Sequence, residues 1–204
     1  MSRNINKVLT SYLILGVLLL SKNSIADQEK RFVDIERGVS ISAPANWTGE
    51  KFAIGPLALR IEIYDDGSIA NCSLTVVASS QSSGTQDWLD KKINSVPMTD
   101  LEQKNLVAAL ESETGYKVSN YYGSIQKLGT KNARTLFYNT SIYSSKLGKN
   151  MYTESFYSSY TRTKDQVGIT CLGGGLSRTA AHTSFEKFNS SFKRIVSSVR
   201  FAGE

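Results

Sequence analysis

The stretch GITCLGGGLSRTAAHTSFEKFNSSFKRIVSSVRF, residues 168–201, holds a cysteine, three consecutive glycines, the chain's only histidine and its clearest helical periodicity. Its first part, Gly168 to His182, admits three readings: a phosphate cradle, a Cys/His nucleophile site, or a glycine-rich turn from a strand into a helix. The second part favours the turn. Apolar residues recur at Ala181, Phe185, Phe188, Phe192, Ile195 or Val196, and Val199. Steps of three and four residues place them in one wide stripe along a long helix. Burying each phenylalanine against a sheet contributes about 1.5–3 kcal/mol relative to exposure. Ser177 or Thr179 is the expected N-cap, since a short hydroxyl there accepts from a free backbone N–H.

The chemical readings lack parts. A phosphate loop needs lysine and then serine or threonine after its glycines, whereas GGGLSRT has only Arg178. Arg178 beside a helix N-terminus is retained as a possible anion contact. A Cys171/His182 pair needs an accessible thiolate beside its base. Yet Val167, Ile169 and Cys171 share one face of a period-two strand, so the sulfur points with its apolar neighbours, and His182 falls off the main helical stripe. No metal spacing is evident, because one histidine and two distant cysteines do not make a zinc set. No cofactor motif is found either.

Working upstream, Tyr116 to Cys171 is rich in Tyr, Thr, Val and Ile and is broken by LGTKN, SKLGKN and RTKDQ. Four strands joined by such turns predict an antiparallel meander. Its tyrosines have two readings: cross-strand pairing beneath helices, or an adaptable partner surface, for which Tyr121, Tyr138, Tyr143 and Tyr157 are the candidates. Before the meander, TQDWLDKKINSV places Trp88, Leu89, Ile93 and Val96 within a short amphipathic helix. VPMTDLEQKNLVAALESETG follows, with a capping box at Thr99 and Glu102, a stripe of Leu101, Leu106, Val107 and Leu110, and a stop at Gly115. Earlier still, GVSISAPANW reads as a strand stopped at Pro44 with Trp47 returning to the core. FAIGPLALRIEIYDDGS and NCSLTVVASS form a strand pair around the Asp65-Asp66-Gly67 turn.

Cys72, Leu74 and Val76 also share one face. A buried Cys72–Cys171 disulfide is expected, with two buried thiols as the alternative. Export supports pairing. Arg3 and Lys7, the apolar run Val8 to Leu20, and the small residues Ser24 and Ala26 match a secretory signal peptide, residues 1–26. An apolar run of 13 residues falls short of the ~20 a spanning helix needs. Cleavage after Ala26 leaves residues 27–204 as one expected domain, without a membrane anchor, in the periplasm or secreted. The cleaved segment carries Arg3, Lys7 and Lys22 and no acid, so the net charge falls from +6 to +3. The remaining charges are mixed and form no basic stripe, which argues against nucleic-acid binding.

The element order is α+β: a single antiparallel sheet flanked by helices as an α/β/α sandwich. ISAPANW, the tyrosine-rich meander ending in GITC, and the closing FEKFNSSFKRIVSSVRF together resemble the PsbP-like superfamily, over about Gly38 to Phe201. The resemblance implies a three-layer sandwich, a bacterial periplasmic member, and a role in binding or assembly. It supplies no catalytic residues. Two functional classes therefore stand: an exported non-enzymatic binding or assembly factor of the bacterial envelope, whose partner is an envelope protein or peptide, and a small secreted hydrolase using Cys171 and His182. An immunity or inhibitor protein for a secreted toxin is a special form of the first.

Overall fold

The computed structural model describes residues 28–78, 84–96, 98–145 and 147–202. The expected signal peptide lies outside them. Among the described residues, ten strands and three helices run in the order β1 (Glu29–Asp34), β2 (Val39–Pro44), β3 (Thr48–Lys51), β4 (Leu57–Asp65), β5 (Ser68–Ala78), α1 (Gln86–Ser95), α2 (Asp100–Thr114), β6 (Lys117–Leu128), β7 (Lys131–Ser144), β8 (Lys149–Thr161), β9 (Asp165–Gly175), α3 (Arg178–Ser197) and β10 (Arg200–Phe201).

The expectation of a single sheet is corrected. A seven-stranded sheet has the order β3-β4-β5-β9-β8-β7-β6, and a separate three-stranded sheet has the order β1-β2-β10. The GVSISAPANW strand belongs to the small sheet, where Phe32 opposes Ile41 and Phe201 opposes Val39. Its partners escaped prediction because β1 is the charged hexapeptide EKRFVD and β10 is only two residues long. Pairing with β2, rather than local propensity, makes them strands.

The large sheet is antiparallel throughout. Cross-strand register aligns Ile61, Cys72, Cys171, Phe156, Phe137 and Tyr122 in one row. Residues directly opposite point to the same face, so this row marks the face that receives α3. Helix α3 crosses β5, β9 and β8 and also meets β2. Phe185, Phe188 and Phe192 are buried on it. Trp47 meets Phe188 and Phe192 edge-on, with ring centroids 5.8 and 6.1 Å apart. Ser177 caps the helix by accepting from the Ala180 N–H at 3.1 Å.

Two of the three glycines, Gly173 and Gly175, explain how α3 comes so close. A Cβ on Gly173 would lie 2.3 Å from the Phe185 backbone nitrogen, and one on Gly175 would lie 2.7 Å from the Ala180 Cβ. Only hydrogen leaves room for the helix. Buried Ser184 fastens the same crossing: its hydroxyl donates to the Ile69 carbonyl at 2.8 Å and accepts from the Ile69 N–H at 3.1 Å.

The opposite face carries α2. Met98, Val107, Leu136 and Tyr138 form a second apolar cluster, with Leu106, Leu110, Val118 and Tyr157 at its edge. The Thr99–Glu102 capping box is present. The Thr99 N–H, donating to the Glu102 carboxylate, is the main influence holding that group below its usual range, and Arg134 adds to it. Three expected core residues are corrected: Leu101, Trp88 and Val96 are 68%, 52% and 41% exposed. The first turn of α2 meets the sheet through Met98 and Gln103 over Gly123, which leaves Leu101 pointing away. In α1, Leu89 and Ile93 are the buried residues instead. Where α1 packs on β7, Tyr160 donates to Asp90 at 2.8 Å and accepts from Gln86 at 2.8 Å.

Ion pairs secure the loop between β1 and β2. Asp34 has no exposed surface and accepts from Arg37 at 2.5 Å, with Lys51 at 3.5 Å. Burial works against its charge, but the Arg37 hydrogen bonds and the nearby cations outweigh it and hold the carboxyl below its usual range. Arg162 pairs with Asp165 and donates to the Gly38 and Arg37 carbonyls.

Candidate functional site

Helix α3 lies chiefly over β9, β5 and β8 and makes lesser contact with the β6 edge strand. The strip of β6, β7 and β8 beside the helix, with the outer flank of α3 as a wall, encloses a groove of about 710 Å³. Its floor follows from strand alternation. Tyr122, Phe137 and Phe156 lie in one cross-strand row, with Tyr122 and Phe137 stacked at 4.8 Å. One register step of two residues away, the Thr135 and Ser158 hydroxyls hydrogen-bond to each other at 2.8 Å. The wall presents Phe185, Glu186, Asn189 and Lys193. Glu154 stands at one end, while Lys127 and Lys193 supply cations elsewhere on the rim. The site is thus an aromatic floor with paired hydroxyls, amides and charges of both signs around it.

Tyr122 is 58% exposed although it belongs to the aromatic row. A bulge between Ser119 and Tyr122, with Asn120 at φ 50°, sets its position on the edge strand. The tyrosine candidates do not converge on the groove. Tyr138 is 6% exposed, which corrects its assignment to a partner surface: it lies in the cluster under α2, where burial pushes its hydroxyl up. Tyr157 packs at the edge of the same cluster. Tyr121 sits in the bulge, and Tyr143, 65% exposed, opposes Asn150 near the β7–β8 hairpin. Tyr122, absent from the tyrosines expected on a partner surface, lines the groove with an exposed ring, whereas Tyr138, also among its lining residues, is buried. The only sequence signal for Tyr122 is its place among alternating aromatics.

The Cys72–Cys171 bridge is formed, between residues directly opposite each other on β5 and β9. Both cysteines are wholly buried. The hydrolase reading through Cys171 and His182 is thereby corrected, since a bridged sulfur offers no thiolate. His182 lies on the exposed side of α3, as the helical spacing predicts, with its Nδ1 2.8 Å from a Glu154 carboxylate oxygen. That hydrogen bond and the carboxylate's charge raise its pKa above the ordinary histidine value. Arg178 opens α3 beside Glu154 and Tyr152, at a recess of about 20 Å³. Such a volume suits about one water. The structure also brings Glu154, His182 and Glu186 together, a grouping that residue spacing did not reveal.

By sequence, no protein-family profile and no curated protein matches the chain. By structure, the chain is similar to cyanobacterial PsbP (CyanoP) from Synechocystis sp. PCC 6803, with a TM-score of 0.53 and 15% identity over 87% of this chain and 93% of that one. The fold is PsbP-like. Similarity extends at a TM-score of 0.44 and 11% identity to LpqN of Mycobacterium tuberculosis, a protein involved in cell envelope biogenesis, over 86% of this chain and 91% of that one. At such identities the likeness fixes the architecture and leaves activity to be argued from the site. Among the described residues, no helix of this PsbP-like chain is long and apolar enough to cross a membrane.

Proposed function

We propose that the protein is an exported, non-enzymatic binding or assembly factor of the bacterial envelope, and that it holds a segment of a protein or peptide partner in the groove beside α3. The observation that carries this reading is the groove itself. Aromatic side chains line it on the sheet face that α3 crosses, with Tyr122 more than half exposed. Aromatic anchors rimmed by hydrogen-bonding groups suit peptide recognition, because an apolar partner side chain can bury on the rings while its backbone meets the polar rim. The signal-like N-terminus and the buried disulfide support export. Loss of a thiolate at Cys171 removes the nucleophile on which the enzymatic alternative depended.

Site-specific photo-crosslinking in intact cells tests the proposal. A photoreactive residue at Tyr122 or Asn189 should yield a discrete envelope adduct, whereas one at Ser73, on the opposite sheet face, should not. Adducts from Ser73 alone, or none from either groove position, overturn the reading.

A further inference from the structure

A second chemistry stands at one end of the groove. His182 and Glu186 are four residues apart on α3, hence neighbours on one helix face. Glu154 comes from the middle of β8, where register places it opposite Gly173 of β9. Gly173 lies at the close approach of helix and sheet, with no room for a Cβ against Phe185. The glycine run therefore lowers the first turns of α3 until their side chains reach a carboxylate standing on the sheet. One donor atom from each of Glu154, His182 and Glu186 lies within 4.8 Å of the others. Two of the three side chains are exposed, so rotamer adjustment can close the remaining distance.

We propose that Glu154, His182 and Glu186 form a binding site for one divalent transition-metal ion of the zinc class. The donor set selects the metal. An imidazole with two carboxylates suits zinc and its neighbours, which take nitrogen and oxygen at about 2.0–2.2 Å. Calcium instead seeks six to eight oxygens, and magnesium a near-ideal octahedron with several waters. Two carboxylates neutralise the ion's charge and the imidazole supplies the softer ligand. Three protein ligands leave at least one coordination position open. Glu154 and Glu186 also line the groove, so that position is available to water or to a donor group of whatever occupies the groove. Arg178 lines the recess beside Glu154, and the partner of that carboxylate is His182 itself.

Isothermal titration of the chelator-treated, untagged chain with zinc chloride alone tests the site, with calcium chloride as the comparison. The expected result is one equivalent of zinc bound at least 100-fold more tightly than calcium. His182→Ala and Glu186→Gln should each weaken zinc at least tenfold while leaving the metal-free melting temperature unchanged. Tyr122→Ala should leave zinc binding unchanged, so failure of the groove reading and failure of the metal site are separable. Absence of zinc binding at 100-micromolar-scale concentrations overturns the proposal, as does binding that survives His182→Ala and Glu186→Gln combined.

Discussion

Removing the Cys72–Cys171 bridge should cost the protein much of its stability. The bridge links the centres of β5 and β9 across a sequence separation of 99 residues. In the chain-entropy treatment, a closed loop of that length restrains the unfolded chain by about 4.7 kcal/mol. Residual structure in the reduced unfolded state lowers this, and the observed range for native bridges in small secreted domains is about 2–5 kcal/mol. Both sulfurs lie in the buried row between Ile61 and Phe156. Alanine therefore suits the replacement better than serine, which would bury hydroxyls without partners. For a urea m-value of about 2 kcal/mol/M, the double variant Cys72→Ala/Cys171→Ala should shift the midpoint of unfolding down by about 1–2.5 M. Its m-value should rise, because an unlinked chain exposes more surface on unfolding. Urea titration followed by fluorescence reads both quantities, alongside non-reducing mass spectrometry of the wild type. A midpoint within about 0.3 M of the oxidised protein, or two alkylatable thiols without reductant, would refute the reasoning.

Phe192→Ala removes a fully buried ring that meets Trp47, Phe156 and Phe185, and should cost about 3–5 kcal/mol in denaturant unfolding. Gly173→Ala drives a Cβ into the α3 backbone; a loss of about 3 kcal/mol and a displaced α3 in a crystal structure are expected, and an unshifted helix with unchanged melting would contradict the close-approach account. Asp34→Asn should destabilise by about 2–3 kcal/mol, less than a wholly buried pair, because Arg37 and Lys51 retain solvent contact. Since the folded-state pKa of Asp34 is lowered, its ionic contribution is present above the ordinary aspartate range and is lost as pH falls through the folded value. The Asn variant should therefore lose less stability than the wild type between about pH 5 and pH 2, measured by chemical unfolding at each pH.

Much of the fold was legible because its largest elements announce themselves locally. The phenylalanine spacing of α3, the cap at Ser177, the Thr99–Glu102 box and the period-two runs around Cys72 and Cys171 all survive in the structure. Local signals fail where tertiary partners decide. Strand β1 is charged, β10 is minimal, and both exist through β2. Trp88 and Leu101 follow an apolar pattern yet face outward, while Tyr138 is enclosed by α2. The groove was least legible of all. It depends on where α3 lies across the strands, a rigid-body placement that Gly173 and Gly175 permit but no single stretch encodes. The meeting of Glu154 with His182 and Glu186 follows from that same placement.

The groove is the centre of the functional account, and blocking it tests that account most directly. Asn189→Trp would fill the α3 wall, whereas Ser73→Trp adds the same bulk to the opposite sheet face. With the partner captured by crosslinking at Tyr122 in hand, titration calorimetry should show at least a 100-fold loss of affinity for Asn189→Trp. Ser73→Trp should change it less than twofold, and both variants should melt with the wild type. Full affinity in Asn189→Trp, or a loss confined to Ser73→Trp, would contradict the assignment of the groove as the partner site.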